Sequence, residues 1–175
     1  MTEKFSIERL GTEDLGEMRE LNQLFGSCFE DPDTYGGEPP SDVYLRDWLA
    51  LPTVIALVAR RDGQVIGGLV AYVLQKFERA RSEIYIYDLA VNPESRRQGV
   101  ATALIERVSD ITCQTGAWVT FVQADYEDSP AVALYEKLGL REEATSSLVS
   151  QSVPHEPRGN PWWPASGAEG TAAVT

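Results

Sequence analysis

The sequence predicts a single α/β domain, and three observations carry that reading. Strand-like and helix-like hydrophobic patterns follow one another along residues 5 to 150 in the order β-α-α-β-β-β-α-β-α-β. An apolar, aromatic strand runs straight into a glycine-bearing helix start, Arg96-Arg97-Gln98-Gly99-Val100-Ala101. At 175 residues, with 43% hydrophobic and 24% charged residues, the chain has enough material for one well-buried domain and too little for two ordinary ones.

Phe5 to Leu10 alternates as a short strand. Thr12 offers an N-cap to a helix whose Leu15, Met18, Leu21, Leu24, Phe25 and Phe29 recur at helical spacing. Residues 30 to 40 read as an acidic, turn-rich loop. Ser41 caps a second helix through Leu51, with Val43, Leu45, Trp48 and Leu49 expected inward. Thr53 to Arg60 and Gln64 to Phe77 are strands flanking an Asp62-Gly63 hairpin turn, and Ser82 to Val91 is the next strand. Gln98 to Gln114 predicts a helix with Ala101, Leu104, Ile105, Val108 and Ile111 on its apolar side, stopped by Gly116 before a strand over Ala117 to Ala124. Ser129 caps a further helix with Pro130 in its first turn, ending at Gly139, and Leu140 to Val149 forms a last strand. The folded domain therefore spans residues 1 to 150. From 151 to 175, Pro154, Pro157, Pro161 and Pro164 exclude regular structure and predict a flexible tail, in which Trp162-Trp163 could dock on the body or on a partner subunit of a homodimer.

Charge and composition narrow the function. A net charge of −12 argues against nucleic acid or an anionic membrane as partner and favours a cationic small molecule, although acidity also serves solubility alone. There is no long apolar run and no signal peptide, so a cytoplasmic protein is expected. Cys28 and Cys113, both in helical segments, read as small core fillers rather than a disulfide. The single histidine, His155, lies in the tail, which argues against a histidine-based triad or metal site; no metal is expected. Neither a G-x-x-x-x-G-K-[ST] nor a G-x-G-x-x-G run is present, so acid–base chemistry falls to carboxylates, tyrosines or water.

The helix start at residues 96 to 101 reads as a phosphate cradle by its place at a strand-to-helix junction, the alternative being an ordinary strand–turn–helix with a basic helix start. Gly99 and Ala101 leave the backbone uncovered, the first helical turn carries unpaired N–H donors and partial positive charge, and Arg96 and Arg97 add fixed charge. Asp88 stands among Ile, Tyr and Leu, where a carboxylate is costly unless it faces a site or a cation such as Arg81 or Lys76. It is the first candidate for a base, and Glu83 the second. Asp125, Glu127 and Asp128 cluster beyond the strand ending at Ala124, where they would attract ammonium groups or merely be solvated.

Val91-Asn92-Pro93 followed by Arg96-x-x-Gly99-x-Ala101 resembles the acetyl-CoA signature of the GNAT N-acetyltransferase superfamily, and Asp128 to Leu140, with Tyr135, resembles its second motif. The resemblance implies the GNAT fold, a mixed and mostly antiparallel sheet flanked by helices and splayed where acetyl-CoA enters. Residues 71 to 78, 81 to 91 and 122 to 126 look more narrowly like the class I aminoglycoside 3-N-acetyltransferases, the gentamicin-acetylating branch, over roughly residues 5 to 145. It implies that Leu89, Ala90, Val91, Arg96, Arg97, Gln98, Gly99, Val100, Ala101, Thr102, Ala131 and Tyr135 contact acetyl-CoA, with Tyr135 facing the departing thiolate. Tyr35, Glu83, Asp88, Asp125, Tyr126, Glu127 and Asp128 would meet the cationic acceptor. The implied activity is antibiotic-inactivating acetylation of the 3-amino group by direct attack. Acetylation of another amine, such as a polyamine, and a non-catalytic acyl-CoA-binding domain are the alternatives.

Overall fold

The computed structural model describes residues 5–123 and, further on, the backbone of residues 143–145 and 148–150. Four strands and four helices lead to the last strand of a five-stranded sheet: β1 (Ser6–Arg9), α1 (Leu15–Cys28), α2 (Pro32–Gly36), α3 (Asp42–Leu49), β2 (Val54–Arg61), β3 (Gln64–Gln75), β4 (Ser82–Val91), α4 (Val100–Thr115) and β5 (Val119–Val122). The sheet order is β1-β2-β3-β4-β5, antiparallel throughout except for the parallel pair β4–β5. That is the mixed, mostly antiparallel sheet the sequence predicts. Leu140 to Val149 does not make one strand: its described residues form β6 (Glu143–Thr145) and β7 (Leu148–Ser150), paired antiparallel with each other.

Alternation along the strands sorts side chains onto two faces. Ile55, Leu57, Leu69, Ile84 and Ile86 pack with Leu104, Val108 and Ile111 of α4. Ala56, Val58, Val70 and Ala90 point the other way, onto Met18, Leu21 and Phe25 of α1 and Leu45 and Leu49 of α3. Gly68 is required beneath α1: a Cβ there would strike the Leu21 side chain and stand 2.7 Å from the Leu57 carbonyl oxygen.

Several local expectations change. Asp14, not Thr12, precedes α1, because its carboxylate accepts from the Gly11 N–H at 2.7 Å and shapes the turn before the helix. The acidic loop contains α2, started by Pro32 and capped by Asp31, whose Oδ1 accepts from Thr34 N at 3.1 Å. Ser41 caps α3 as expected, accepting from Tyr44 N at 3.2 Å. Val43, however, is 65% exposed, because it lies about 200° around the helix from the buried Leu45. Asp62 and Gly63 both have positive φ, as their two-residue hairpin turn demands. Cys113 is exposed rather than a core filler, since it sits on the outer side of α4 from Ile111 and Thr112.

Candidate active site

Two features meet along β4. The first is an opening. β5 pairs with β4 only over Glu83 to Ile86, so from Tyr87 to Val91 the strand has no ladder partner on that side among the described residues. The second is a bulge. Register with β3 shifts between Val70↔Asp88 and Ala71↔Ile86, leaving Tyr87 as the extra residue. Its effect is to place Tyr87 and Asp88, neighbours in sequence, on the same face. Ile86 and Leu89 pack with the α4 side, while Asp88 reaches Tyr35 and Tyr87 meets the ring of Tyr72 on the α1 side.

Beyond β4 the chain is held tightly and then left bare. Asn92 Oδ1 accepts from Glu94 N at 3.2 Å and starts a 3₁₀ turn over Pro93–Ser95. Arg96 folds back so that its Nε donates to the Val91 carbonyl at 3.1 Å, an oxygen that also accepts from Cys28 Sγ at 3.7 Å. Cys28, expected as a small core filler, therefore lies beside the segment that leads to the cradle, with its thiol proton engaged. Gln98 is gripped from two sides: its Oε1 accepts from Arg61 Nη2 at 2.8 Å, and its Nε2 donates to the Glu94 carbonyl at 3.0 Å. Arg97 has φ +62° and an exposed side chain with no ion pair among the described residues. Gly99 follows at φ +86°, and a Cβ added there would meet no atom within 4 Å. α4 then begins with no side-chain cap and no acidic residue in its first turn, so its leading N–H groups and partial positive charge face open space. These features fit the pyrophosphate of acetyl-CoA.

Asp88 is the half-buried carboxylate of the site. The Tyr35 hydroxyl donates to its Oδ1 at 3.1 Å. Burial pushes the Asp88 carboxyl above the usual aspartate range, and the Tyr35 hydrogen bond opposes that shift. Burial, and then the charge of Asp88, pushes the Tyr35 hydroxyl well above its ordinary value. Tyr35 is wedged by Phe25 and Phe29, at ring-centroid distances of 5.8 and 5.7 Å. Asp88 does not pair with Arg81 or Lys76. Those cations belong to Glu83, at 3.4 and 3.6 Å, and Arg81 also lies 3.9 Å over the Trp118 ring. Glu83 stands at the other end of β4 from Asp88, roughly 16 Å away by strand rise.

The structure thus gathers Tyr35, Asp88, Leu89, Ala90, Val91 and residues 96 to 102 along one strand and its helix, and sets Glu83 apart in an ion-pair cluster. Asp125, Tyr126, Glu127, Asp128, Ala131 and Tyr135, the helix expected after Ser129 and the tail with Trp162-Trp163 lie outside the described residues. Sequence reasoning missed the bulge, Arg61 and the tyrosines Tyr72 and Tyr87. Only the density of tyrosines in β3 and β4 signalled them. Among the described residues no three histidine, cysteine or acidic side chains are grouped to hold a metal, and no helix is long and apolar enough to cross a membrane.

A sheet that opens at its fourth strand beside an uncapped helix start has room for an extended, phosphate-bearing ligand. The chain belongs to the acetyltransferase (GNAT) family, whose model matches residues 18–140, and which uses acetyl-CoA as acyl donor. An aminoglycoside acetyltransferase from an uncultured soil metagenomic sample is 48% identical, with a TM-score of 0.77 over 81% of this chain and 95% of that one. A second such enzyme, also from an uncultured soil metagenomic sample and solved with sisomicin, is 30% identical, with a TM-score of 0.73 over 81% of this chain and 92% of that one. A ribosomal-protein alanine N-acetyltransferase of Escherichia coli is 33% identical over 60 residues, which are 34% of this chain and 40% of that enzyme's length.

Proposed function

We propose that this acetyltransferase acts on aminoglycosides, transferring acetyl from acetyl-CoA to the 3-amino group of the deoxystreptamine ring. The observation that carries the reading is Asp88: a half-buried carboxylate on a bulge, where the sheet opens, in line with the cradle at residues 96 to 102. The aminoglycoside class is supported by 48% identity across 81% of the chain and by the net charge of −12, which draws a polycation. The choice of nitrogen rests on the sequence resemblance.

In this reading the backbone of residues 99 to 102 and the Arg97 side chain hold the pyrophosphate, and Leu89 to Val91 guide the pantetheine arm. The neutral acceptor amine attacks the thioester carbonyl. A C–N bond forms, the C–S bond breaks, Asp88 takes the amine proton directly or through water, and Tyr135 supplies a proton to the thiolate. Attack is direct, without an acyl-enzyme; the Cys28 thiol is occupied by the Val91 carbonyl oxygen, 3.7 Å away. Asp125, Tyr126, Glu127 and Asp128 hold further ammonium groups of the acceptor. Acetylation removes one of the drug's cationic charges, giving resistance in the cytoplasm where acetyl-CoA is made.

The test is acetylation of gentamicin and sisomicin, with the product nitrogen assigned by NMR. Acetylation at the 3-amino group supports the assignment in full. Modification of another ring nitrogen removes the position but keeps the class. Turnover of spermidine or of a protein N-terminus, with no turnover of any aminoglycoside, removes the class.

A further inference from the structure

The face that carries Asp88 also carries a row of aromatic rings that the acid–base chemistry leaves unused. Trp48 on α3, Tyr72 on β3 and Tyr87 and Tyr85 on β4 follow one another at centroid distances of 6.3, 5.7 and 5.8 Å, each pair close to edge-on. Tyr85 is committed: Phe121 stacks on it at 4.9 Å, and its hydroxyl donates to Gln123 Oε1 at 2.8 Å. Tyr87 is not. It is the extra residue of the bulge, 59% exposed, and no ring among the described residues stacks face-on against it.

The bulge makes Tyr87 and Asp88 a side-by-side pair of exposed ring and half-buried carboxylate. In a regular strand these neighbours would point to opposite faces. A ring face attracts a cation through its quadrupole and packs against the flat C–H face of a saturated ring, while the carboxylate pairs with an ammonium. A ligand satisfying both is a compact ring bearing amines on its edge. A linear polyamine offers the charges without the flat apolar face.

We propose that Tyr87, backed by Tyr72, is the platform on which a cyclic amino-sugar acceptor stacks while the amino group to be acetylated faces Asp88. The platform thereby makes the site select rings over linear polyamines. The proposal rests on the aminoglycoside reading given above.

The experiment is calorimetric titration of sisomicin, spermine and acetyl-CoA into wild type, Tyr87→Phe, Tyr87→Leu and Tyr87→Ala. Loss of one cation–ring contact predicts that Tyr87→Ala weakens sisomicin about tenfold. Tyr87→Leu, which keeps bulk without a π-face, should lose most of that, and Tyr87→Phe should stay within about twofold of wild type. Spermine should weaken clearly less than sisomicin, and an unchanged acetyl-CoA affinity verifies that each variant is folded. Wild-type affinity for sisomicin in Tyr87→Ala overturns the platform. So does a loss in Tyr87→Phe equal to that in Tyr87→Ala, because the hydroxyl would then be the contact. Equal losses for spermine and sisomicin overturn the selectivity for rings. A wild type that fails to bind sisomicin at all overturns the aminoglycoside reading together with this one, a result that the other outcomes cannot mimic.

Discussion

The two ends of the proposed site, Val91 with the helix start beyond it and Tyr87–Asp88 on the bulge, would solve different problems by different means. At the Val91 end, the proposed recognition is by backbone: a 3₁₀ turn, two residues at positive φ and a helix start without cap or acidic residue would present N–H groups to an anion. At the Tyr87–Asp88 end it would be by side chains, which one extra residue rotates onto a shared face. Backbone recognition restricts which residues are tolerated, so it writes a motif into the sequence. Side-chain recognition by a bulge restricts only register, which no single residue announces. The contrast predicts that damage at one end should change acceptor chemistry alone, and damage at the other cofactor affinity alone.

The largest effect belongs to Asp88. If Asp88 is the base, as proposed, its conversion to asparagine should lower kcat by a factor of about 10²–10⁴ while acetyl-CoA affinity stays unchanged. The same variant should be more stable than wild type at neutral pH. The folded carboxyl titrates above its unfolded value, so the native state binds more protons and stability falls as pH rises from the ordinary aspartate range through the raised one. Above that window the folded protein carries the full cost of burying the charge, and asparagine removes it while still accepting from Tyr35. Thermal melts at pH 7 that show Asp88→Asn no more stable than wild type would contradict this account.

Gly99 tests the opposite end, with Gly116 as its control. Both glycines are left-handed, at φ +86° and +68°, and an added Cβ meets no atom within 4 Å at either. A side chain at either position costs about 1–2 kcal/mol in backbone strain. Only Gly99→Val puts a side chain into the opening before α4, so it alone should weaken acetyl-CoA by at least about tenfold. Gly116→Ala should lower the melting temperature and leave the affinity untouched. Parallel affinity losses in both variants would mean that strain in α4, not access to its first turn, governs cofactor binding.

This asymmetry also explains what the sequence revealed. The left-handed Gly99 and the helix start after it were legible because Arg96-x-x-Gly99-x-Ala101 is a backbone requirement spelled in residues, and the strands were legible from alternation and from Asp62-Gly63. Asp88 was legible as a carboxylate out of place. Its partner could be narrowed only to a cation or a site, because a hydrogen bond from Tyr35 spans 53 residues and depends on the capped turn of α2. Glu83 was the second base candidate, at a strand start where it could equally be solvated, and the ion pairs that occupy it come from residues folded over the β3–β4 turn. Tyr87 looked like one more strand aromatic, since a bulge leaves no trace in periodicity one residue long.

Tyr35 gives a subtler means of separating the ends. Its hydrogen bond favours the ionised form of Asp88 against burial. Tyr35→Phe keeps the ring contacts with Phe25 and Phe29 and deletes the donor, so the Asp88 carboxyl should rise further. Activity that needs ionised Asp88 is lost as pH falls through that value. The acidic limb of the kcat/KM profile should therefore move to higher pH, with the alkaline plateau and acetyl-CoA affinity preserved. A shift toward lower pH, or none, would remove Tyr35 from control of the base.

The smallest effect should come from Gln98, which contributes to the cradle without facing its opening. Its amide ties the Glu94 carbonyl, in the 3₁₀ turn, to Arg61 at the end of β2, and so braces the segment between β4 and α4 against the β2–β3 hairpin. Removing a brace of this kind costs about 1 kcal/mol per hydrogen bond, and only the part that pre-orders the segment for its ligand reaches the binding constant. Gln98→Ala should thus raise the KM for acetyl-CoA by about fivefold with kcat and acceptor KM unchanged. Arg61→Ala should produce a similar loss, and the double variant should be little worse than either, because both delete the same link. Additive losses would show instead that Arg61 acts on cofactor binding by a route other than Gln98.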